Sequence, residues 1–430
     1  MKKKIILLAV TFVAAISLQL ILLYASAFIP KSAIEEHFRE SADILCEKSV
    51  FFDVNEGVRM TRIDRYADSI LLNIAWNLEP SLKSVMRTSY HYSEFENEND
   101  NLHDAVYNGD PANQEYVRYW HGSAAIVRMM HVFFNIRQIY IFHAVVLSVL
   151  VIILLTILLA RKMYAEAAAF VIGLISVGSW YVPLSLEYTW TFICMLVFSI
   201  TVLLYAKIPE KITADKNTGL LIIFLLSGMI TVYLDFLSAE TIAMTVPLLF
   251  LYRVYLRNTK PHTDRSYLTS LGSMCLIWGA GYVISWVMKW ILASVITGEN
   301  VLPLVSGHVS ERLNGGVSGI TALPGYIVQT VWKNLSCLFP FGAGAPGVVC
   351  GIVILVLMLY AGYVYHGKEI DKSSALVYII LGSIPYIRYL VLHNHANLHH
   401  FFTYRAQLVT VMAVWLILFD STDINLFKRR

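Results

Sequence analysis

Long apolar runs alternate with short polar stretches along the whole chain. A helix needs about 20 mostly apolar residues to cross a bilayer. Ten stretches come close to that length, at 5–28, 139–160, 165–183, 188–206, 219–234, 241–256, 267–291, 347–365, 374–392 and 406–419. We therefore predict an all-α fold, a polytopic transmembrane helix bundle of about ten spans.

Basic residues in the short loops predict the orientation, because loops rich in Lys and Arg stay on the cytoplasmic side. Loops near 184–187 and 235–240 contain neither residue. The basic positions all fall on the other side of the predicted spans, at 2–4, 161, 162, 207, 211, 216, 253, 257, 260, 265, 368, 372 and 428–430. This pattern predicts a multi-pass cell membrane protein with both termini cytoplasmic and its large loops outside.

The first apolar run has two interpretations. Its basic start and the residues Ala25, Ser26 and Ala27 are typical of a signal peptide with a cleavage site. The run at 5–24 is longer than the core of a signal peptide, which has about 7–15 residues. This length favours a retained helix, and in both interpretations the region that follows is exported.

The spans divide the chain into five parts. Residues 1–28 form the first helix, and residues 29–138 form an outer region of amphipathic, interfacial helices. Residues 139–291 carry helices two to seven, residues 292–346 form a second outer loop, and residues 347–430 carry helices eight to ten.

Composition supports a membrane protein and excludes other classes. Charged residues make up 15% of the chain, whereas a soluble domain has about 25%. The net charge of +3, without a Lys/Arg block, gives no basis for nucleic-acid binding. The five cysteines lie far apart without a C-x-x-C pair, so they predict neither a metal site nor a disulfide framework. We predict no cofactor, although a divalent metal stays open.

A helix predicted at about 61–78 carries two candidate catalytic residues. Asp64 and Asp68 are four residues apart, so a helix would place them one turn from each other. Two carboxylates at that spacing repel, which raises the pKa of one toward the range of a general base. The alternative is a solvated helix edge on which Arg62 and Arg65 pair with the two acids.

Polar residues also occur at the outer ends of later spans. Asp235 is a third candidate catalytic residue, and Glu187 and Glu240 occupy similar positions. Arg388 interrupts the ninth span, so it has to face a polar cavity, a carboxylate or a phosphate. We predict that Arg388 binds the phosphate of a substrate.

A further outer helix is predicted over 115–122. Helical spacing places Arg118, His121 and Arg128 on one face, and the aromatic residues between them suit a membrane interface. Such a helix can hold an anionic lipid in the headgroup layer, so Arg118 and His121 are candidate substrate-binding residues. The alternative is an ordinary aromatic belt with extended arginine side chains.

The densest polar cluster lies at 393–405, where four of the thirteen histidines occur within eight residues. His395 and His399 are one helical turn apart, so both can face one ligand. Zinc is conceivable there, but no H-E-x-x-H motif is present, and phosphate or sugar binding fits the flanking arginines better. A histidine-rich interfacial loop without a ligand is the alternative. The candidate substrate-binding residues of this cluster are His393, His395, His399, Tyr404 and Arg405.

The order of these features resembles the GT-C class of membrane glycosyltransferases. That class has one span, a long outer region of interfacial helices with acidic residues, and then a bundle with a second long outer loop. Residues 116–122 (YVRYWHG), 233–237 (YLDFL) and 395–405 (HANLHHFFTYR) also resemble stretches in bacterial polytopic proteins of this shape. The class often has an adjacent acidic pair early in its first loop, and here the adjacent pair is Glu35-Glu36 instead of the candidate aspartates.

The resemblance implies that a sugar is transferred from a polyprenyl-phosphate donor to a cell-envelope glycan or lipid on the outer face. The expected partners are a polyprenyl-phosphate-linked sugar, membrane lipid and an envelope glycan acceptor, without nucleic acid. An aspartate of the first outer region would act as the general base. Arg388, Arg405 and the histidines would neutralise the departing phosphate. The histidine cluster should then face the Asp64–Asp68 helix across one cavity.

Two other functions stay open. A transporter or flippase would use the same basic cluster to hold an anionic lipid-linked substrate. Transporters usually show internal repeats and broken helices at the midplane, and neither is clear in this sequence. An envelope acyltransferase would use His395 or His399 as its base.

Overall fold

The computed structural model describes residues 2–206, 218–258, 266–314, 323–338, 345–364 and 372–422. Part of the orientation prediction rests on residues outside these ranges, namely Lys207, Lys211, Lys216, Lys260, Arg265, Lys368, Lys428, Arg429 and Arg430. The described residues are nearly all helical, which confirms the all-α prediction.

The first third of the chain places a group of short elements between two long apolar helices. Its helices are α1 Lys2–Ser26, α2 Glu35–Cys46, α3 Arg65–Asn77, α4 Leu82–Arg87, α5 Glu98–Tyr107, α6 Gly122–Met130 and α7 Ile136–Ala160. Strands β1 Phe51–Asp53 and β2 Arg62–Asp64 pair antiparallel. Short 3-10 helices cover Lys31–Ala33 and Arg59–Thr61. Residues 27–135, between α1 and α7, are called the cap below.

The remaining helices build the bundle and its second large loop. They are α8 Tyr164–Ser176, α9 Leu186–Tyr205, α10 Thr218–Leu234, α11 Ile242–Asn258, α12 Ser266–Thr297, α13 Leu302–Asn314, α14 Leu323–Ser336, α15 Ala345–Val364, α16 Lys372–Val391, α17 His393–Leu398, α18 His400–Thr403 and α19 Leu408–Ser421. Further 3-10 helices cover Ser179–Leu184 and Tyr404–Gln407.

Several of these helices are suited to a membrane. Six segments of the described residues are long and apolar enough to cross one: Lys2–Ser26, Ile136–Ala160, Leu186–Tyr205, Leu268–Thr297, Lys372–Val391 and His400–Ser421. Shorter apolar helices cover Tyr164–Ser176, Thr218–Leu234 and Gly351–Tyr360. These helices indicate a membrane protein, whereas the count of about ten spans stays a prediction.

Two predicted spans depart from a straight apolar helix for local reasons. After α8, Gly178 adopts a left-handed φ of 58°, and the 3-10 helix Ser179–Leu184 follows with Pro183 inside it. The span predicted at 165–183 is therefore a short helix followed by a turn. α11 contains Pro247, which removes a backbone donor within the helix.

A buried ionic network joins α8, α11, α16 and α19. Arg253 Nε donates to Glu166 Oε1 at 2.6 Å, and Arg253 Nη1 donates to Asp420 Oδ2 at 2.6 Å. The Tyr378 hydroxyl donates to the same Asp420 oxygen at 2.8 Å, and Arg257 Nη2 lies 3.4 Å from Glu166 Oε2. Each acid in the network therefore has a cationic partner.

The cap folds around an apolar stripe with helical spacing at the start of the region. Ile34, Phe38 and Leu45 are fully buried, and α2 packs against α3 and α5. The helix predicted at about 61–78 is α3, which begins later because β2 occupies its predicted first turn.

The prediction of a helix over 115–122 is wrong. The Tyr116 amide donates to the Arg87 carbonyl at 3.1 Å, and Trp120 Nε1 donates to the Ser285 carbonyl at 2.8 Å. The first bond uses an amide that a helix would need, and the second anchors the Trp120 side chain to α12. The segment runs as turns and extended backbone between α4 and α12.

Helix α6 begins directly after this segment, at Gly122. A Cβ atom on Gly122 would lie 2.1 Å from the Tyr233 ring, so the close packing against α10 requires glycine. The preceding residue, His121, adopts a left-handed φ of 54°. Arg128 is buried on α6 and donates to backbone carbonyls of the cap. The face predicted to be shared by Arg118, His121 and Arg128 is therefore not formed.

The described part of the second large loop is mainly helical, and α14 packs against α17 and α18. Lys333 Nζ donates to Asn397 Oδ1 at 2.7 Å, and Asn334 Nδ2 donates to the Ala396 carbonyl at 2.9 Å. The histidine-rich segment is thus held by polar contacts from this loop.

Candidate functional site

A cavity of about 460 Å³ lies between the cap and the bundle. Its walls come from the β-hairpin, α3, the 116–121 segment, the first turn of α9, and α17 with α18. Its ionisable side chains are Arg62, Asp64, Tyr66, Arg118, His121, Glu187, His395 and His399. Its aromatic side chains also include Phe51, Tyr116, Tyr119, Phe236, Phe401 and Phe402. The prediction that the histidine cluster and Asp64 share one cavity is confirmed for His395 and His399.

A pair of carboxyl groups forms the acidic wall. Asp64 and Glu187 are both buried, at 2% and 5% exposure, and a side-chain hydrogen bond joins them. Asp64 also caps α3, where it accepts from the Ala67 amide at 2.8 Å. Glu187 Oε2 has no hydrogen-bond partner among the residues that the structure describes. A hydrogen bond between two carboxyl groups requires a proton on one of them, so this wall can accept or release a proton.

Burial determines the acidity of the Asp64 side of the pair. It raises the pKa of Asp64 to about 6, while the hydrogen bonds from Ala67 and Glu187 act in the opposite direction. Asp64 is thus ionised at neutral pH and basic enough to take up a proton, the property required of a general base. The predicted direction of the shift holds, although its main cause is burial instead of repulsion from Asp68.

Asp68 lies behind the cavity wall and is fully buried. Its carboxylate accepts from the Tyr140 hydroxyl at 2.6 Å, the Ser185 hydroxyl at 3.0 Å and the Leu186 amide at 2.9 Å. Burial raises the pKa of Asp68 to about 7, against the effect of these donors. Because Asp68 does not line the cavity, it joins α3 to the start of α9 instead of contacting a substrate.

His395 and His399 form the imidazole wall. Their ring centroids are 4.8 Å apart, and the His399 amide donates to the His395 carbonyl at 3.0 Å. The helical spacing predicted from the sequence thus persists across the junction of α17 and α18. Phe402 stacks on His399 at 5.1 Å and fixes the ring orientation.

Arg118 and His121 reach the cavity from the turn segment. The Arg118 guanidinium lies 4.4 Å from the Tyr116 ring centroid, and its Nη2 donates to the Tyr116 hydroxyl at 2.5 Å. The His121 ring contacts the Phe236 ring at 5.1 Å. Burial, and then the charge of Lys289, hold the pKa of His121 well below its usual range. His121 is therefore neutral at pH 7, and Arg118 supplies fixed positive charge.

The structure places Arg388 away from the cavity lining. Its Nε donates to Glu240 Oε1 at 2.6 Å, and its Nη2 donates to the Leu237 carbonyl at 2.5 Å. The Arg388 side chain is 4% exposed. The prediction that Arg388 binds a substrate phosphate is corrected, because a buried carboxylate occupies it.

Asp235, a predicted catalytic residue, also lies outside the cavity lining. It accepts from the Thr191 hydroxyl at 3.1 Å and from the Ser238 amide at 3.1 Å. These bonds close the turn after α10, so Asp235 has a structural role.

The remaining predicted binding residues lie behind the histidine wall. Arg405 is 1% exposed, its guanidinium lies 4.4 Å from the Tyr188 ring centroid, and Nη2 donates to the Met60 carbonyl at 3.4 Å. The Tyr404 hydroxyl donates to the Val177 carbonyl at 2.7 Å. His393 is buried against Tyr326. All three support the wall and do not line the cavity.

Glu187 was not among the residues that the sequence predicted for the site. An acidic residue in the first turn of an apolar helix was visible, but nothing local placed it beside Asp64, which is 123 positions earlier. Tyr66 and the phenylalanines could not be assigned to the site from the sequence either, because an aromatic side chain at a helix end is ordinary in membrane proteins.

The geometry does not place a metal at the histidine pair. Among the described residues, His395 and His399 form no set of three potential metal ligands within 4.8 Å of one another.

No protein-family model, curated protein or solved structure matches this chain. The resemblance to GT-C glycosyltransferases thus rests on the order of the helical segments and the short motifs alone.

Proposed function

We propose that this protein is a membrane glycosyltransferase that moves a sugar from a polyprenyl-phosphate donor to a cell-envelope glycan or lipid. The observation that carries the proposal is the composition of one cavity. It joins a buried acid pair, two guanidiniums, three imidazoles and several aromatic rings at the end of an apolar helix bundle. This set suits a substrate with a hydroxyl to deprotonate, a sugar ring and an anionic leaving group.

Asp64 acts as the general base in this proposal. An acceptor hydroxyl oxygen forms a bond to the anomeric carbon of the sugar as the bond from that carbon to the phosphate oxygen breaks. Asp64 takes the hydroxyl proton, and Glu187 carries the proton that the acid pair already shares. The lipid phosphate departs as a stable anion, so no strong general acid is required.

Arg118, His395 and His399 stabilise the departing phosphate. Negative charge that develops on the leaving oxygen is stabilised best by hydrogen-bond donors that are already in place. Arg118 is held by its tyrosine neighbours and the imidazoles by Phe402, so they need little reorganisation. These residues replace Arg388 and Arg405 in the predicted role.

Stacked aromatic side chains offer a place for the sugar. The Phe51 and Tyr66 rings lie 5.6 Å apart and nearly parallel, at 12°. Sugar rings have an apolar C–H face and polar edges, and a mostly apolar pocket with a few polar groups orients such a ligand.

Acyl transfer is a second candidate, favoured by the position of His395 and His399 on the cavity wall. One imidazole would deprotonate the acceptor hydroxyl directly, and the acid pair would then be dispensable. The two proposals therefore differ in which residue abolishes activity when it is changed.

The test is a donor panel with purified protein in lipid nanodiscs. Polyprenyl-phosphate sugars, nucleotide sugars and activated acyl donors are each supplied with a radiolabelled transferable group. We expect transfer from polyprenyl-phosphate sugars alone. Transfer only from the acyl donor would establish the second candidate, and transfer from none would refute both.

We also propose that the cap faces the cell exterior. Phe95 is 90% exposed in the cap, so Phe95→Cys in a Cys46→Ser background should label with an impermeant thiol reagent in intact cells. Lys372 is the first residue of α16, and the last turn of this helix leads to the histidines of the cavity wall. Lys372→Cys should therefore label only after permeabilisation. The reverse pattern would overturn the orientation and the choice of donor.

A further inference from the structure

A second group of potential ligands lies in the cap, outside the cavity. One ligand atom each from His91, Asp104 and Asp110 lies within 4.8 Å of the other two. His91 follows α4, Asp104 is on α5, and Asp110 follows α5. The fold thus brings one imidazole and two carboxylates together from three segments, and each of the three residues is partly buried.

The surrounding sequence carries a strong excess of negative charge. Residues 88–117 contain no Lys or Arg and seven acidic residues, namely Glu94, Glu96, Glu98, Asp100, Asp104, Asp110 and Glu115. The side chains of Glu96 and Asp104 lie within hydrogen-bonding distance of each other, so two groups of like charge approach each other at the surface. A bound cation would remove the repulsion that this arrangement creates.

The position of His91 suits a metal ligand. Its backbone amide donates to Asn73 Oδ1 at 3.0 Å, and its ring Nδ1 lies 3.2 Å from the Pro111 carbonyl oxygen. Metal-binding histidines usually donate one ring N–H to such a carbonyl, which fixes the ring and its tautomer. With the proton on Nδ1, Nε2 keeps its lone pair for a ligand.

We propose that His91, Asp104 and Asp110 bind a divalent transition-metal cation such as Zn²⁺, with Glu96 as a fourth ligand. One imidazole with carboxylates suits such ions, whereas Ca²⁺ and Mg²⁺ prefer oxygen ligands alone. Ligand atoms around tetrahedral zinc lie about 3.3 Å apart. The present separations reach this value through rotation of partly exposed side chains.

The site would brace one wall of the cavity. Next to His91, Tyr90 and Gln114 exchange two backbone hydrogen bonds of 3.0 Å. Two residues further on, Tyr116 lines the cavity. A cation between His91 and Asp110 would tie both sides of this bridge together and reduce the motion of the cavity wall.

The test is metal binding by the whole protein, purified in detergent and stripped with a chelator. We expect isothermal titration with ZnCl2 to give saturable binding at one site and Zn²⁺ to raise the unfolding temperature. His91→Ala and Asp110→Asn should each weaken binding at least about ten-fold, because each removes one ligand. Hydrogen exchange over 88–116 should slow on binding in the wild-type protein only.

Asp43→Asn is the matched control. Asp43 is an exposed carboxylate near the same helix, with Tyr107 Oη 2.9 Å away, and it is outside the ligand set. Its replacement should leave Zn²⁺ binding unchanged. Three results would overturn the proposal: no saturable binding, unchanged binding in both His91→Ala and Asp110→Asn, or binding lost only in His395→Ala. Tighter binding of Ca²⁺ that persists in His91→Ala would show a carboxylate site and overturn it as well.

Discussion

Buried charge is handled differently at the two ends of the bundle. In the network of Arg253, every carboxylate has a cationic partner, at 2.6 Å for Glu166 and Asp420. In the cavity, Asp64 is hydrogen-bonded to another acid, and Glu187 Oε2 lacks a hydrogen-bond partner within the described chain. The first arrangement satisfies its groups, and the second leaves them available.

This difference separates structure from chemistry. Breaking a buried ion pair costs stability because one charge is left uncompensated. A buried acid pair that forms no salt bridge is itself destabilising, so its presence in a cavity indicates a use for its proton. Changes to the cavity acids should therefore reduce activity more than stability, and changes to the Arg253 network should reduce stability more than activity.

The largest effect is expected from Asp64→Asn. Asparagine keeps the cap of α3 but cannot accept the hydroxyl proton, so sugar transfer should fall about 10²–10⁴-fold with little change in unfolding temperature. The measurement is single-turnover transfer from a polyprenyl-phosphate sugar. Glu187→Gln is the matched control, because a carboxamide can still donate to Asp64. It should retain transfer within about ten-fold, and equal losses in the two variants would remove the distinction between them.

The next effect is on stability. Arg253→Met leaves Glu166 and Asp420 without their shared cation, and we expect a loss of about 3–5 kcal/mol in the free energy of unfolding. Transfer per folded molecule should be unchanged. Tyr378→Phe removes two hydrogen bonds of the same network, one from Arg253 and one to Asp420, and should cost about 1–3 kcal/mol. Denaturation in mixed detergent measures both losses of stability. An Arg253→Met protein as stable as the wild type would contradict the stabilising role of this network.

A smaller change is expected from Arg388→Lys. Lysine keeps a charge for Glu240 but loses the second donor to the Leu237 carbonyl, so stability should fall by about 1–3 kcal/mol while transfer stays normal. The exposed pair of Arg137 and Glu47 provides the control. Arg137→Lys should change stability by less than about 1 kcal/mol. Normal stability with weak transfer would return Arg388 to the site.

The smallest effect concerns pH. With the pKa of Asp64 at about 6, transfer should fall about two-fold from pH 7 to pH 6, and about ten-fold per unit below pH 5, as the base becomes protonated. The folded pKa of Asp64 exceeds its usual value of 3.8. The native state therefore binds more protons than the unfolded chain, and the contribution of Asp64 to stability falls as pH rises from about 4 through about 6. Residual activity of Asp64→Asn should lack this pH dependence.

The sequence was informative wherever the determining contacts are local. The stripe of Ile34, Phe38 and Leu45 follows helical spacing and is buried in the cap. The pairing of His395 with His399 also follows from spacing. Such features depend on neighbours three or four residues away.

Apart from the cavity that Asp64 shares with His395 and His399, features set by distant contacts were not predictable. Arg388 gave a strong signal of a buried partner, but the partner is Glu240, 148 positions earlier. The 115–122 segment has helical spacing, yet the Tyr116 amide donates to α4 and the Arg118 carbonyl accepts from tryptophan side chains of α12, so tertiary contacts override the local pattern.

Asp68 has a consequence for how the molecule unfolds. Its carboxylate is the acceptor for the Ser185 hydroxyl and the Leu186 amide, so a residue of the cap satisfies the beginning of a bundle helix. Separating the cap from the bundle would leave both the carboxylate and the helix end without partners in an apolar setting. The two parts should therefore lose protection against amide hydrogen exchange together, as one cooperative unit.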